Sequence, residues 1–199
     1  MKNLELVIFD MDGLMFDTER IAFMAWRTAA SQYGFEITEQ IFKETLGVNI
    51  VLTGEIFMKY FGESFPIDII KKERFKIAED YVNLNGVTVK NGLYELLDYL
   101  KISNIKMAVA TSTGRARAMR LLKMAGIDMN FNYVICGDEI INSKPDPEIF
   151  LKVAEKLGCT ENRCLVLEDS EAGIMAAHKA GMLPVMIPDM KEPSEEVKD

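Results

Sequence analysis

Two aspartates, Asp10 and Asp12, stand one residue apart at the end of an apolar run (LVIF), and Gly13 follows them. Three further apolar runs end in polar groups. KMAVA runs into Thr111 and Ser112, YVIC into Gly137-Asp138-Glu139, and CLVL into Glu168 and Asp169. A lysine, Lys144, sits in the loop after the third run. If these runs are strands of one parallel sheet, their carboxyl ends share an edge, and ligands of open parallel sheets bind at that edge. Carboxylates gathered there repel one another unless a cation holds them. Hard oxygen ligands, with few nitrogens or sulfurs among them, suit Mg²⁺. The hydroxyls of Thr111 and Ser112 precede a helix start near Arg115 and, with its N–H groups, form an anion site. A divalent metal, an anion site and a lysine together point to phosphoryl transfer. Asp10 is then a candidate carboxylate nucleophile. Asp12 is placed to protonate the leaving oxygen and later to activate water.

The elements that must position these residues follow from periodicity. Short, near-continuous apolar runs rich in Val and Ile read as strands covered on both faces. LPVMI, after Gly181, is a fifth. Between them, residues 92–100 place Leu93, Leu96, Leu97 and Leu100 on one helical face. Residues 115–124, 147–157 and 171–180 are also helical, the second with Pro147 in its first turn and Gly158 after its end. Strand and helix alternate, which predicts an α/β fold with right-handed crossovers. The span from about residue 14 to 89 breaks the rhythm, with four helical segments (19–33, 38–46, 50–61 and 66–83) and no strand. It reads as a helical insertion after the first strand. The expected organisation is a Rossmann-like parallel sheet core, residues 1–14 and 90–199, with helices on both faces and an inserted α-helical cap domain, residues 15–89.

Composition narrows the partners. The chain has 199 residues, 49% of them hydrophobic, and a formal net charge of -8. An acidic surface repels phosphate backbones and anionic lipid, so nucleic acid and membrane surfaces are not expected partners. A local site can still be positive and take a small anion. Three cysteines without CxxC spacing fit a reducing setting, with Cys136 and Cys164 as small core residues. No apolar run is long enough to span a bilayer. Lys2 is followed by Glu5 and Asp10, which interrupt any signal-peptide core. A cytoplasmic monomer is the expectation, with the charged C-terminal KEPSEEVKD frayed.

Each candidate also has a structural reading. Asp10 and Asp12 can be turn formers, Thr111 and Ser112 an N-cap pair, Lys144 a solvated lysine, and Glu168-Asp169 caps of the next helix. Asp17 and Thr18 are read as a hinge and N-cap. Most cap Met and Phe side chains are read as core packing, with Phe23, Met24 and Trp26 able to line a pocket.

FDMDGLMFDTE, ATST, SKPDPEIF and VLEDSEAGIMAAHKAGM occur in this order. Together they resemble the four motifs of the haloacid dehalogenase superfamily, in its branch with a helical cap after the first strand. The resemblance covers nearly the whole chain. It implies Asp10 as nucleophile and Asp12 as acid/base. It implies Mg²⁺ bound by the Asp10 side chain, the Asp12 carbonyl and Asp169, with Glu168 adjacent. Thr111, Ser112 and Lys144 would hold phosphoryl oxygens; Arg115, by its place beside that site, is a candidate substrate contact. Asp12 sets the chain apart from the dehalogenases that named the group. The cap and sheet also resemble the β-phosphoglucomutases, but those carry a His after the DTxE stretch and an Arg after a GVS-like turn of the cap. Here Ala22 and Val51 stand at those places. The expectation is a phosphatase of a small phosphorylated metabolite with the cap closing over the site. A hexose-phosphate mutase and a non-catalytic phosphometabolite-binding protein are the alternatives.

Overall fold

The computed structural model describes residues 4–48 and 50–195. Lys2, Asn49 and the last four residues of the C-terminal segment lie outside the described residues. Two compact units emerge. One comprises the chain up to Asp17 together with everything from Val87 onward, and the other is Thr18–Gly86.

The first unit is built on a five-stranded, all-parallel sheet. Its strands are β1 (Leu6–Phe9), β2 (Lys106–Ala110), β3 (Tyr133–Ile135), β4 (Cys164–Glu168) and β5 (Leu183–Met186), in the order β3-β2-β1-β4-β5. Each apolar run in the sequence became one of these strands. β1 lies at the centre, paired along its whole length with β2 and β4, and all four of its residues are buried.

Because side chains alternate along a strand, β1 feeds two cores. Leu6 and Ile8 pack with Ala108, Ile135 and Val166 against Phe150, Val153, Ala176 and Ala177. The last four belong to the helices that follow β3 and β4. Val7 and Phe9 point the other way and are equally buried, as are Leu97, Leu100, Leu121 and Leu122 of the two helices flanking β2. Helices therefore cover both faces, as near-continuous hydrophobic strands require. The outer strand β5 is covered less completely, with Leu183 and Val185 exposed, as is Ile187 just after it.

The second unit is all helix: α1 (Thr18–Ser31), α2 (Glu39–Lys43), α3 (Ile50–Phe61) and α4 (Ile67–Asn85). Its core is aromatic. Trp26 meets Phe57 edge-on at 4.9 Å between ring centroids, and Phe65 packs on Phe35 and Phe57. Arg74 lies over the Trp26 ring at 5.0 Å. Trp26 is thus core rather than a pocket wall, whereas Phe23 and Met24 line a hollow of about 410 Å³ with Arg27, Thr28 and Ser31. Helix α2 stops earlier than periodicity suggests: from Glu44 on the N–H groups reach back three residues instead of four, and the Thr45 hydroxyl joins its own N–H on the Phe42 carbonyl at 2.7 Å. Thr18 is not a cap. It is the first residue of α1, and its hydroxyl is buried with no hydrogen-bond partner.

The remaining helices are α5 (Leu93–Ile102), α6 (Arg115–Met124), α7 (Glu148–Leu157) and α8 (Glu171–Lys179). In α5 the predicted apolar face holds, with Leu93, Leu97 and Leu100 buried and Leu96 half-buried. His178, the one histidine of the chain, is exposed in the last turn of α8. All three cysteines are free and buried. No helix among the described residues is long and apolar enough to cross a membrane.

Candidate active site

Asp10 is the first residue beyond β1, and its N–H still donates to the Leu167 carbonyl at 3.0 Å. It therefore leaves the sheet in strand geometry, with its side chain pinned at the edge where β1, β2 and β4 end. The chain then folds back at once. Met15 and Phe16 donate their N–H groups to the Met11 carbonyl, and Gly13 donates to Phe16 at 2.9 Å. Met11, Met15 and Phe16 are fully buried, so hydrophobic burial holds the turn shut. Gly13 makes the turn possible in two ways. Its φ of 81° is in the left-handed region, and any Cβ there would collide with the Asp169 carboxylate.

Glu168 ends β4 and is fully buried. One of its oxygens, Oε2, accepts from the Ser170 hydroxyl at 2.9 Å and from the Ser170 N–H at 3.2 Å. Ser170 in turn caps α8, accepting from the Gly173 N–H at 3.1 Å. A side chain at position 173 would occupy the space of the Glu168 carboxylate, so glycine is required there. The cap of α8 is thus Ser170 rather than Glu168 or Asp169, and Glu168, which holds Ser170, has a second task.

That task is with Lys144. Its ammonium donates to Asp10 Oδ1 at 2.5 Å, to Glu168 Oε1 at 2.6 Å and to the Ala110 carbonyl at 3.0 Å. It also stands 5.1 Å from the centre of the Phe150 ring. Only 6% of its side chain is exposed, so it is not a solvated lysine. Burial by itself would lower the Lys144 pKa, but Asp10 and Glu168 more than offset it, and the ammonium is held well above its ordinary value. Asp10 is pushed up, first by burial and then by Glu168 and Asp169, with Lys144 pulling back. Carboxylate oxygens of Asp10, Glu168 and Asp169 all lie within 4.8 Å of one another. Three carboxylates and one ammonium carry more negative than positive charge, and the raised Asp10 pKa expresses the cost of gathering them in a buried place.

Asp12, half-buried in the turn, is reached from across the sheet, where the Thr113 hydroxyl donates to its Oδ2 at 2.7 Å. Thr111 is buried at the end of β2, and its hydroxyl accepts from the Thr113 N–H at 3.0 Å; Ser112 is exposed. The expected set of free N–H groups at the start of α6 is only partly there. Asp138 reaches the Arg115 N–H with both oxygens, at 3.1 and 3.2 Å, and caps the helix from the turn after β3. The Arg115 guanidinium pairs with Glu139 at 3.0 and 3.1 Å and donates to the Val134 carbonyl at 2.7 Å. These partners all belong to β3 and the turn after it, and none is a carboxylate of the Asp10 group. Cys136, Asp138 and Glu139 form a second acidic group, two of whose members are engaged by Arg115.

Two residues without an assigned role in the sequence reading also build the site. Thr113 is one. Its signal was the third polar residue of ATST, directly after the two hydroxyls chosen. Glu148 is the other, in SKPDPEIF. It accepts from the N–H groups of Ile141 at 3.0 Å and Asn142 at 2.7 Å and from Lys152 at 2.6 Å. These bonds tie the loop that carries Lys144 to α7. Lys152 first, and then the two N–H groups, bring the Glu148 pKa down to about 2 from an ordinary 4.5. A depressed folded-state value contributes stability above the unfolded value that is lost as pH falls through the folded one. Glu148→Gln is accordingly expected to lower the melting temperature at pH 7. The gap to wild type narrows as pH falls from about 4.5 toward about 2, which thermal melts across that window measure.

A strand-end aspartate, an aspartate two residues on, a buried lysine on two carboxylates and a doubly wound parallel sheet define a hydrolase class, and comparison bears this out. Residues 7–187 match the family model described as haloacid dehalogenase-like hydrolase. The chain belongs to that family, and within it is a phosphohydrolase. It is 35% identical over 181 residues to the phosphorylated carbohydrates phosphatase of Thermotoga maritima, covering 90% of this chain and 82% of that protein. It is 30% identical over 188 residues to the β-phosphoglucomutase of Bacillus subtilis, covering 92% of this chain and 82% of that one. A solved structure of a candidate β-phosphoglucomutase from Thermotoga maritima superposes with a TM-score of 0.79 at 31% identity, over 98% of this chain and 90% of the other.

Proposed function

We propose that the chain hydrolyses the phosphate ester of a small phosphorylated metabolite, a sugar phosphate in particular, through an aspartyl-phosphate on Asp10. The observation that carries this reading is the shared ammonium of Lys144. It holds Asp10 Oδ1 and Glu168 Oε1 together, so the nucleophile is oriented and the lysine lies beside the reacting centre. An oxygen of Asp10 attacks phosphorus, the bond to the leaving oxygen breaks, and that oxygen takes the proton of Asp12. Water then attacks the aspartyl-phosphate and gives a proton to Asp12, releasing inorganic phosphate and restoring Asp10. Lys144, with Thr111 and Ser112, offsets charge on the transferring phosphoryl oxygens, where positioning and electrostatics supply most of the catalysis.

The donor set fits a hard divalent cation. Asp10, Asp169 and Glu168 offer only carboxylate oxygens, lie close together and carry the larger share of the charge. Asp10 and Asp169, with the main chain of Asp12, would hold Mg²⁺, and Glu168 would stand beside it. The metal would supply charge neutralisation for the phosphoryl oxygens. The phosphatase name of the Thermotoga relative supports hydrolysis of sugar phosphates. Ala22 and Val51, where related mutases carry His and Arg, argue against the hexose-phosphate mutase. The presence of both Asp10 and Asp12 argues against a binding protein without turnover. The helical unit, Thr18–Gly86, is read as the part that selects the leaving group.

The test is a screen of phosphorylated metabolites for inorganic phosphate release with Mg²⁺, read beside a thermal melt. Phosphate from sugar phosphates is expected, with Mg²⁺ raising the melting temperature more at pH 7 than at pH 5, because protons compete for Asp10. Isomerisation of a sugar phosphate without phosphate release would overturn the reading in favour of the mutase.

A further inference from the structure

We infer that Thr113 is the positioning residue of the acid/base, Asp12, and that it fixes which oxygen of that carboxyl carries the transferred proton. The inference rests on the reading of Asp12 given above. Thr113 is anchored on both sides of its peptide before its side chain does anything. Its N–H donates to the buried hydroxyl of Thr111 at 3.0 Å, and its carbonyl accepts from the Gly137 N–H at 3.1 Å. The first anchor belongs to the end of β2 and the second to the turn after β3. A β-branched side chain on a backbone held this way has little rotamer freedom. Its hydroxyl then meets Asp12 Oδ2 at 2.7 Å, a well-formed hydroxyl–carboxyl hydrogen bond, between residues 101 apart in sequence.

The consequence is chemical. While the Thr113 hydroxyl donates to Oδ2, that oxygen is the acceptor and the acidic proton is carried by Oδ1. Oδ1 delivers that proton to the leaving oxygen in the first step and takes one from water in the second, while the Thr113 hydrogen stays on its own oxygen throughout. An Asp12 side chain without this anchor rotates, and the fraction of time that Oδ1 is presented falls. In kcat/KM, which reports only as far as departure of the leaving group, the loss is felt where that group needs a proton. A nitrophenolate leaves without one; phenolate and alkoxides do not.

The experiment compares kcat/KM for 4-nitrophenyl phosphate and phenyl phosphate in wild type, Thr113→Val, Thr113→Ser and Asp12→Asn. Thr113→Val is expected to lose roughly ten- to a hundredfold on phenyl phosphate. Its kcat/KM on 4-nitrophenyl phosphate falls much less, so the ratio of the two substrates is the quantity that moves. Thr113→Ser, which retains the hydroxyl, restores the wild-type ratio. Asp12→Asn serves as the reference for complete loss of the acid. If Asp12→Asn steepens the leaving-group dependence and Thr113→Val leaves it at the wild-type value, the inference falls and the role of Asp12 stands. If Asp12→Asn itself leaves the ratio unchanged, the reading of Asp12 as acid falls instead. Equal losses on both substrates in Thr113→Val, unrelieved by Thr113→Ser, would make Thr113 a merely structural residue.

Discussion

Asp10→Asn is expected to abolish phosphate release, by at least about 10⁴-fold in kcat, and at the same time to raise the melting temperature of the metal-free protein. The two halves have one cause. As a nucleophile Asp10 must be ionised, and asparagine offers no carboxylate to form the acyl phosphate. As a buried group beside Glu168 and Asp169, the same carboxylate is held in its charged form against a cost, which its raised pKa records. A folded-state value above the unfolded one means stability that is complete below the unfolded pKa, near 3.8, and is lost as pH rises through the folded value. A neutral isostere removes that loss. The gain should therefore be seen at pH 7 and vanish toward pH 4, in melts of both proteins with a chelator present. Mg²⁺ should raise the melting temperature of Asp10→Asn less than that of wild type, because one of its oxygen ligands has become a weaker, uncharged one. Retained phosphate release in the variant would place the nucleophile elsewhere. A fall in metal-free stability at pH 7 would show that Asp10 contributes more through Lys144 than it costs by crowding. Active sites commonly trade stability for function in this way, with like charges gathered where a ligand or metal will later compensate them.

The parts of this site that were legible in the sequence are those fixed by strand ends. The apolar runs of β1, β2 and β4 each stop at a polar residue, so the residues at those strand ends were bound to lie at one edge, and Asp10, Thr111, Glu168 and Asp169 do. Lys144 could be placed near that edge, but not bonded to two of its carboxylates, because its loop is shaped by side chains. Glu148 collects two N–H groups from residues six and seven positions earlier, a choice that no periodicity announces. The start of α6 shows the same limit. Its sequence suggested open N–H donors, yet Asp138, twenty-three residues on, caps Arg115, and Glu139 takes its guanidinium. Those contacts depend on β3 lying beside β2, a matter of strand order that local pattern does not carry. Thr113 falls in the same class, since its partner Asp12 belongs to a different strand end. Helix existence was read well and helix ends less so, as α2 shows, where the backbone tightens into three-residue turns from Glu44 on that no apolar periodicity announces.

Lys144→Met should be the most destabilising substitution in the sheet edge, costing about 3–5 kcal/mol at pH 7 in urea unfolding. Methionine matches the lysine stem in length and keeps the contact with Phe150, so little of the loss comes from packing. What disappears is the ammonium that Asp10 and Glu168 share, and both carboxylates remain buried, with 10% and 1% of their side chains exposed. Removing one partner of a buried charge pair is far costlier than replacing the whole pair by apolar groups, because the remaining charge keeps its desolvation penalty. The pH dependence separates this account from a packing defect. Asp10 already binds its proton more tightly than an ordinary aspartate, and without Lys144 the one attraction that lowers its pKa is gone. The folded variant then takes up a proton that the unfolded chain does not, so its stability rises as pH falls from 7 toward 5 and the deficit against wild type narrows. A deficit that is the same at both pH values would mean a cavity or strain rather than charge. Combining Lys144→Met with Asp10→Asn provides the closing arm. If the lysine is there to offset Asp10 and Glu168 jointly, the double variant recovers part of the loss, with a coupling well outside simple additivity. If the two substitutions add, the ammonium serves Glu168 alone, and its bond to Asp10 orients the nucleophile without holding up the fold.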